Sequence, residues 1–129
     1  PYDDENDDEA TDRDKRDYWE ERIYDIKYGI ENLFKDGFHI CYRVITAPLS
    51  WKPENNIGIY WSWDKNSAEA HWGDFSSGNV TWRIAAKISQ ENVDWVATLA
   101  QNADPDYEHE REIRILDDSN VKLLSHEVI

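Results

Sequence analysis

Near its C-terminus the chain reads Tyr107-Glu108-His109-Glu110-Arg111-Glu112-Ile113-Arg114-Ile115-Leu116. Carboxylates occupy every second position at Glu108, Glu110 and Glu112, and the apolar residues Ile113 and Ile115 alternate in the same way. Because strand side chains alternate between two faces, this pattern predicts a strand with the three carboxylates on one face. Like charges repel there. The face is therefore either a solvated edge that deters aggregation or a surface that meets a positive charge.

Helical periodicity occurs in three places. Between Tyr18 and Lys35 the apolar residues recur every three to four positions, which predicts a helix capped by Asp17 and ended by Gly37. Two shorter helices are predicted, one capped by Asp64 or Asn66 and running to about Trp72, and one running from Ser89 and Asn92 to about Gln101.

Four further segments are rich in β-branched and aromatic residues and are bounded by residues that favour turns. They are predicted to be strands at 38–46, 57–63, 80–89 and 121–129. Runs of strands mixed with a few helices are typical of the α+β class. We therefore expect a compact, mixed and mostly antiparallel β core with an N-terminal helix and short helices.

The length and charge of the chain indicate its domain organisation and the kind of partner it binds. A chain of 129 residues predicts a single domain. Its first sixteen residues carry eight acidic and three basic side chains, which predicts a flexible acidic arm at 1–16 before an α+β domain at 17–129. The net charge of −14 argues against direct nucleic-acid binding through phosphate neutralisation. It favours a basic partner protein instead.

Other residue types indicate what to exclude. Cys41 is the one cysteine and lies in an apolar run, so we expect a buried structural thiol. The four histidines lack the spacing of metal ligands, and we expect no metal site. The apolar runs are too short to span a membrane. These observations predict a soluble, cytoplasmic protein.

Arg43 is the charged residue in an otherwise apolar and aromatic strand. A guanidinium in such a place is rarely buried without a partner. Three kinds of partner are possible: the phosphates of a dinucleotide, a backbone carbonyl that lines its cleft, or one of the many carboxylates.

The order of three motifs resembles the ADP-ribosyltransferase family, in the branch that has an Arg, a Ser/Thr-x-Ser and a Glu-x-Glu motif. Arg43 lies on the first strand, Tyr60-Trp61-Ser62 on the next, and Glu110-Arg111-Glu112 on a later one. The resemblance covers residues 38–129. It departs from the family pattern at Tyr60, which stands at the first hydroxyl position and is similar to the Tyr of the His-Tyr-Glu branch.

The resemblance implies a split, mixed-β core that holds NAD in a central cleft. Glu112 would then stabilise the positive charge that develops on the ribose, and Glu110 would orient an acceptor, here an arginine side chain of a protein. The candidate NAD-binding residues are Tyr42, Arg43, Tyr60, Trp61 and Ser62, with Tyr60 placed to stack on the nicotinamide ring. For Trp61 or Trp63 the alternative is packing in the core.

Two other functions fit the sequence. A relative of the same family would release ADP-ribose from NAD without transfer, as an NAD glycohydrolase. A non-enzymatic acidic protein would bind and block the basic surface of a partner, which the net charge favours. Small members of the resembled family occur as toxins, bacterial effectors and phage proteins that modify the host, and the resemblance extends to each of these roles.

Overall fold

A computed structural model describes the backbone of residues 4–54, 57–69 and 78–129, with side chains from residue 13 onward. Three α-helices are present in these ranges: α1 (Asp4–Leu33), α2 (Lys65–Glu69) and α3 (Trp95–Ala103). The strands are β1 (Phe38–Pro48), β2 (Tyr60–Ser62), β3 (Asn79–Ser89), β4 (Glu112–Arg114) and β5 (Lys122–Val128). Two 3₁₀ turns lie at Gln90–Asn92 and Glu108–Glu110.

The five strands form one sheet in the order β4-β2-β1-β3-β5, and every neighbouring pair is antiparallel. β1 and β3 pair along their whole length, from Phe38 opposite Ser89 to Pro48 opposite Asn79. The expected α+β class, with an N-terminal helix and antiparallel strands, is confirmed. Candidate residues from β1, β2 and β4 become spatial neighbours because these three strands are adjacent.

The C-terminal half of α1 covers one face of the sheet. Its apolar stripe buries Ile30 against the sheet, as the helical spacing predicts, and Phe34, directly after the helix, is buried beside it. Cys41 is fully buried in the same layer, which confirms the expected buried thiol. The same cluster of buried side chains also contains Ile57, Trp61, Ile84, Ala86, Ile88, Val93, Ile113 and Ile115.

Two predicted helix starts are wrong. The first helix begins at Asp4, so Asp17 lies within it and does not cap it. The helix expected from Ser89 divides into a 3₁₀ turn, capped by Ser89, and α3, capped by Asp94. The division occurs because Val93 is extended and forms a β-bridge with Ile115, which a continuous helix would not permit.

The short second helix agrees with its prediction as far as it is described. Asp64 caps it, since its carboxylate accepts a hydrogen bond from the backbone N–H of Ser67 at 2.9 Å. Hydrogen bonds from Ser67 also lower the pKa of Asp64 below its ordinary value. The part of the prediction from residue 70 to residue 72 lies outside the described residues.

The strand predicted through Glu108, Glu110 and Glu112 is wrong for its first half. Glu108 and Glu110 lie in a 3₁₀ turn, and β4 begins at Glu112. Arg111 separates the two elements because its backbone is left-handed, with φ 49°, a conformation that cannot continue a strand. The three carboxylates therefore do not share one strand face.

Strand β2 is also shorter than predicted. It was expected to start at Ile57 and starts at Tyr60. Gly58 has φ 96°, which only glycine adopts readily and which interrupts the extended backbone. Within the ranges that the structure describes, no helix has the length and hydrophobicity needed to cross a membrane. The backbone of residues 4–16 is helical, and the division into an arm at 1–16 and a domain at 17–129 stays a prediction.

Candidate active site

A cleft of about 210 Å³ lies where β1, β2, α2 and the segment leading into β4 meet. All seven residues that the sequence singled out border it: Tyr42, Arg43, Tyr60, Trp61, Ser62, Glu110 and Glu112. Val44, Ser67 and Ala68 complete the lining. Residues up to 70 positions apart in the chain are thus brought to one place, although their side chains do not all face it.

Three side chains form a row across the sheet beside this cleft. Tyr42 of β1 pairs with Ser62 of β2, and Ser62 pairs with Glu112 of β4. Directly opposed residues of antiparallel strands project from the same face. Tyr60, two residues before Ser62, projects from that face as well, and about half of its surface is exposed.

Trp61 projects from the opposite face of β2. Its cross-strand partner is Ile113, which is fully buried. The indole is itself buried, and its Nε1–H donates to the carbonyl oxygen of Gly58 at 2.9 Å. The ring therefore packs in the core, so Trp61 borders the cleft without offering its ring to a ligand.

Arg43 also projects from the core face, because it pairs with the buried Ile84. Its Nη1 donates to the backbone carbonyl of Tyr60 at 2.8 Å. The hydrogen-bond partner is thus a backbone carbonyl, and the carboxylate of Asp118 acts on Arg43 through its charge. Arg43 therefore holds β2 in place, and its guanidinium lies on the opposite side of the sheet from Glu112.

The surroundings of the Arg43 guanidinium are tight. A Cβ on Gly58 would lie 2.7 Å from Arg43 Cζ, so a side chain at this position would force the guanidinium to shift. Burial lowers the pKa of Arg43, while the charge of Asp118 acts in the opposite direction. The buried Nε–H of Arg43 has no acceptor among the described residues.

Glu112 combines burial with a charged partner. The residue is 9% exposed, and its Oε2 accepts a hydrogen bond from Arg114 Nη2 at 3.2 Å. Its backbone carbonyl accepts from the side chain of Asn102 at 2.8 Å, which fixes β4 against α3. A carboxylate held on a braced strand is a suitable group for stabilising positive charge.

Arg114 is the site residue that the sequence analysis missed. Its guanidinium carbon lies 4.5 Å from the centre of the Tyr60 ring, in cation–π geometry, while its Nη2 contacts Glu112. A signal for this role exists in the sequence. Glu112 and Arg114 are two apart on a strand and therefore share a face.

The turn before β4 positions Glu110. Ser62 Oγ donates to the carbonyl oxygen of Glu110 at 2.9 Å, and the N–H of Trp63 donates to the carbonyl of Arg111 at 3.1 Å. These bonds attach the turn to the end of β2. The left-handed backbone of Arg111 changes the direction of the chain between the two carboxylates. Glu110 therefore borders the cleft from the 3₁₀ turn, and Glu112 borders it from β4.

Glu108, the first carboxylate of the alternating run, behaves differently. Its Oε2 pairs with Nη2 of Arg22 at 2.7 Å, and about half of its side chain is exposed. It therefore joins α1 to the 3₁₀ turn at the surface. Within the described ranges, no group of three or more His, Cys, Asp or Glu side chains is arranged to hold a metal ion.

Comparison of the chain with protein-family models, curated proteins and solved structures yields no match. The assignment of a function therefore depends on the chemistry of the cleft. It combines two carboxylates, a half-exposed tyrosine ring and an arginine beside them. Such a set suits a ligand that has an aromatic ring and a centre that becomes positively charged.

Proposed function

We propose that this protein is an NAD-dependent mono-ADP-ribosyltransferase that modifies a protein side chain, with arginine as the acceptor. One observation carries the proposal. The motifs that resemble the family lie on β1, β2 and the segment entering β4, and these elements are neighbours that border a single cleft. The sequence order alone did not require β2 to lie between β1 and β4.

In this proposal the buried carboxylate of Glu112 stabilises positive charge on the ribose. Breaking the bond between nicotinamide and ribose places positive charge on the sugar, and a fixed carboxylate stabilises that charge more in the transition state than in the ground state. Glycosidases use carboxylates against the same kind of charge. Glu110, from the neighbouring turn, would hold the planar guanidinium of an acceptor arginine, which a carboxylate matches well.

The size of the cleft limits what part of NAD it takes. At about 210 Å³ it is smaller than the roughly 300–1,000 Å³ typical of sites for whole drug-sized ligands. It suits the nicotinamide–ribose end, with the nicotinamide against the half-exposed ring of Tyr60. The adenosine end would then extend beyond the cleft. Tyr42, in the row with Ser62 and Glu112, would contact the ribose side.

Two residues take roles in this proposal other than direct contact with NAD. Arg43 acts as a positioning residue, because its guanidinium holds the backbone of Tyr60 from the other face of the sheet. The donor of Ser62 is engaged by backbone carbonyls, so it positions Glu110. An ADP-ribosyltransferase-like fold, action as a toxin, effector or phage protein, and work in the cytoplasm of a bacterial host or target cell belong to the same proposal.

The test is incubation of the purified protein with labelled NAD and a cell extract, reading both labelled protein and free nicotinamide. The Glu112→Gln variant should lose both signals and keep its circular dichroism spectrum. Glu108→Gln is the matched control, because the same change is made four residues away at a surface carboxylate, and it should retain both signals.

Each outcome has a distinct meaning. A labelled band that is lost only in Glu112→Gln supports the transferase and reveals its target. Nicotinamide release without a band supports an NAD glycohydrolase that uses the same cleft. Full activity in Glu112→Gln, or no signal from the wild-type protein in several extracts, contradicts the proposal.

The second candidate function is an acidic binding protein that blocks a basic partner, and one feature of α1 favours it. Tyr24 and Tyr28, one helical turn apart, are 69% and 62% exposed. The same helix carries exposed acidic residues before, between and after them (Asp17, Glu20, Glu21, Asp25 and Glu31), together with the exposed Lys27. Aromatic rings beside carboxylates suit lysine and arginine side chains. Salt-sensitive binding to a basic protein, lost in Tyr24→Ala/Tyr28→Ala and unchanged in Glu112→Gln, would support this function.

A further inference from the structure

One side chain engages two residues of the proposed site at once. Arg114 Nη2 lies 3.2 Å from Glu112 Oε2, and its guanidinium carbon lies 4.5 Å from the centre of the Tyr60 ring. Arg114 is on β4 directly opposite Tyr60. About a quarter of its side chain is exposed, and it contacts two lining residues of the cleft without lining the cleft itself.

This arrangement opposes the chemistry assigned to Glu112. A cation at hydrogen-bond distance offsets the negative charge of the carboxylate, and the effect is stronger in a partly buried site than in water. The same guanidinium covers a face of the Tyr60 ring that would otherwise accept an aromatic ligand. In the free protein, therefore, Arg114 holds both groups in a state that does not suit catalysis.

The hydrogen bonding of Arg114 is incomplete in this state. Its Nε–H is buried and lacks an acceptor in the part of the chain that the structure describes. A buried donor without a partner carries an energetic cost. A phosphate group offers several strong acceptors in the geometry that a guanidinium matches, so a bound phosphate is a better partner than the single bond to Glu112.

Arg43 does not compete for this role, because its guanidinium is on the opposite face of the sheet and bonds the carbonyl of Tyr60. We propose that Arg114 binds the phosphates of the incoming dinucleotide and, in exchanging Glu112 for phosphate, withdraws its positive charge from the Glu112 carboxylate when substrate is present. This inference rests on the proposed function. Phosphate binding to Arg114 and the separation of Arg114 from Glu112 then occur together.

The experiment measures ADP binding by calorimetry at one fixed, low salt concentration. ADP carries the pyrophosphate and has no nicotinamide, so it reports on the anion site without turnover. Glu112→Gln should bind ADP about tenfold more tightly, because Arg114 no longer has to leave a carboxylate. Arg114→Met should bind ADP at least about tenfold more weakly than the wild type, because the charged guanidinium is removed.

The double variant Glu112→Gln/Arg114→Met separates exchange from general charge repulsion. If the two residues compete as proposed, the gain from Glu112→Gln vanishes once Arg114 is absent. Arg22→Met is the matched control, since Arg22 pairs with Glu108 outside the cleft, and it should bind ADP as the wild type does. Arg114→Lys keeps the charge and loses the paired donors of the guanidinium, so it should bind ADP more weakly than the wild type. This variant provides the test if Arg114→Met does not fold.

The outcomes separate the two proposals. If Glu112→Gln does not bind ADP more tightly, or if the gain persists in the double variant, the exchange is wrong. If the wild type binds no ADP but still transfers the label from NAD to a protein, the exchange is wrong and the proposed function stands. If the wild type neither binds ADP nor releases nicotinamide, both are wrong.

Discussion

The hydroxyl of Ser62 donates to the backbone carbonyl of Glu110 at 2.9 Å, across 48 positions of the chain. Its oxygen also accepts a hydrogen bond from the N–H of Asp64 at 3.2 Å. Ser62 ends β2 and is buried, and Glu110 ends the 3₁₀ turn before β4. One buried hydroxyl therefore sets where a cleft carboxylate lies relative to the central strands.

Replacing Ser62 with Ala should lower the free energy of unfolding and release the segment that carries Glu110. The change leaves the carbonyl of Glu110 without this donor, and such a loss typically costs about 1–2 kcal/mol. Urea unfolding should show that decrease. Ser125→Ala, at an exposed position in β5, is the control and should change the free energy of unfolding by less than about 0.5 kcal/mol. Equal unfolding midpoints for the two variants would show that the bond contributes nothing.

Gly58 should not tolerate a side chain. Its φ of 96° disfavours any other residue, and a new Cβ would lie 2.7 Å from Arg43 Cζ. Gly58→Ala should therefore destabilise the protein by more than about 2 kcal/mol, since the strain is added to the loss of the bond from Arg43 to Tyr60. Thermal unfolding measures the effect.

Gly29→Ala is the matched comparison and should have the opposite sign. Gly29 lies within α1, and a Cβ there would meet no described atom within 4 Å. Alanine favours a helix interior over glycine by about 0.5–1 kcal/mol. A rise in the unfolding temperature for Gly29→Ala and a fall for Gly58→Ala is expected. A similar small change in both variants would contradict the described packing of Arg43 on Gly58.

Cys41 should make the protein sensitive to alkaline pH. Burial raises the pKa of its thiol above the ordinary value. A group whose pKa is higher in the folded state stabilises the fold fully below its unfolded pKa. That stability is lost as the pH rises above the unfolded pKa, by up to about 1.4 kcal/mol per pH unit.

The measurement compares urea unfolding of the wild type and Cys41→Ala at roughly pH 8 and pH 10, on either side of the unfolded thiol pKa. The wild type should lose more stability between these values than the variant does. Other groups titrate in both proteins and cancel in the comparison. Parallel losses would mean that the thiol ionises in the folded protein as easily as in the unfolded one.

Local patterns predicted most of the fold. The apolar stripe before Leu33 identified α1, and the β-branched runs identified β1 and β3 to within two residues. These features depend on contacts between residues that are close in sequence. Helix starts were less predictable. Asp17 is a good capping residue by type, yet the helix continues through it to Asp4.

The seven candidate residues border one cleft, but the sequence did not indicate which way each side chain faces. Their roles in a functional site stay a prediction. The facing of each side chain depends on strand register. Register places Tyr42, Ser62 and Glu112 on one face and Arg43 on the other, and a shift of one residue would have reversed the faces.

The sequence by itself determined the α+β class, the main elements and the segments that form the cleft, because periodicity and turn chemistry act over a few residues. Tertiary structure decided the left-handed backbone of Arg111, which separates Glu110 from Glu112, and the placement of Arg114 against Tyr60. Both depend on bonds to β2, which is distant in sequence from these residues. Their geometry is set by long-range pairing, which local patterns do not encode.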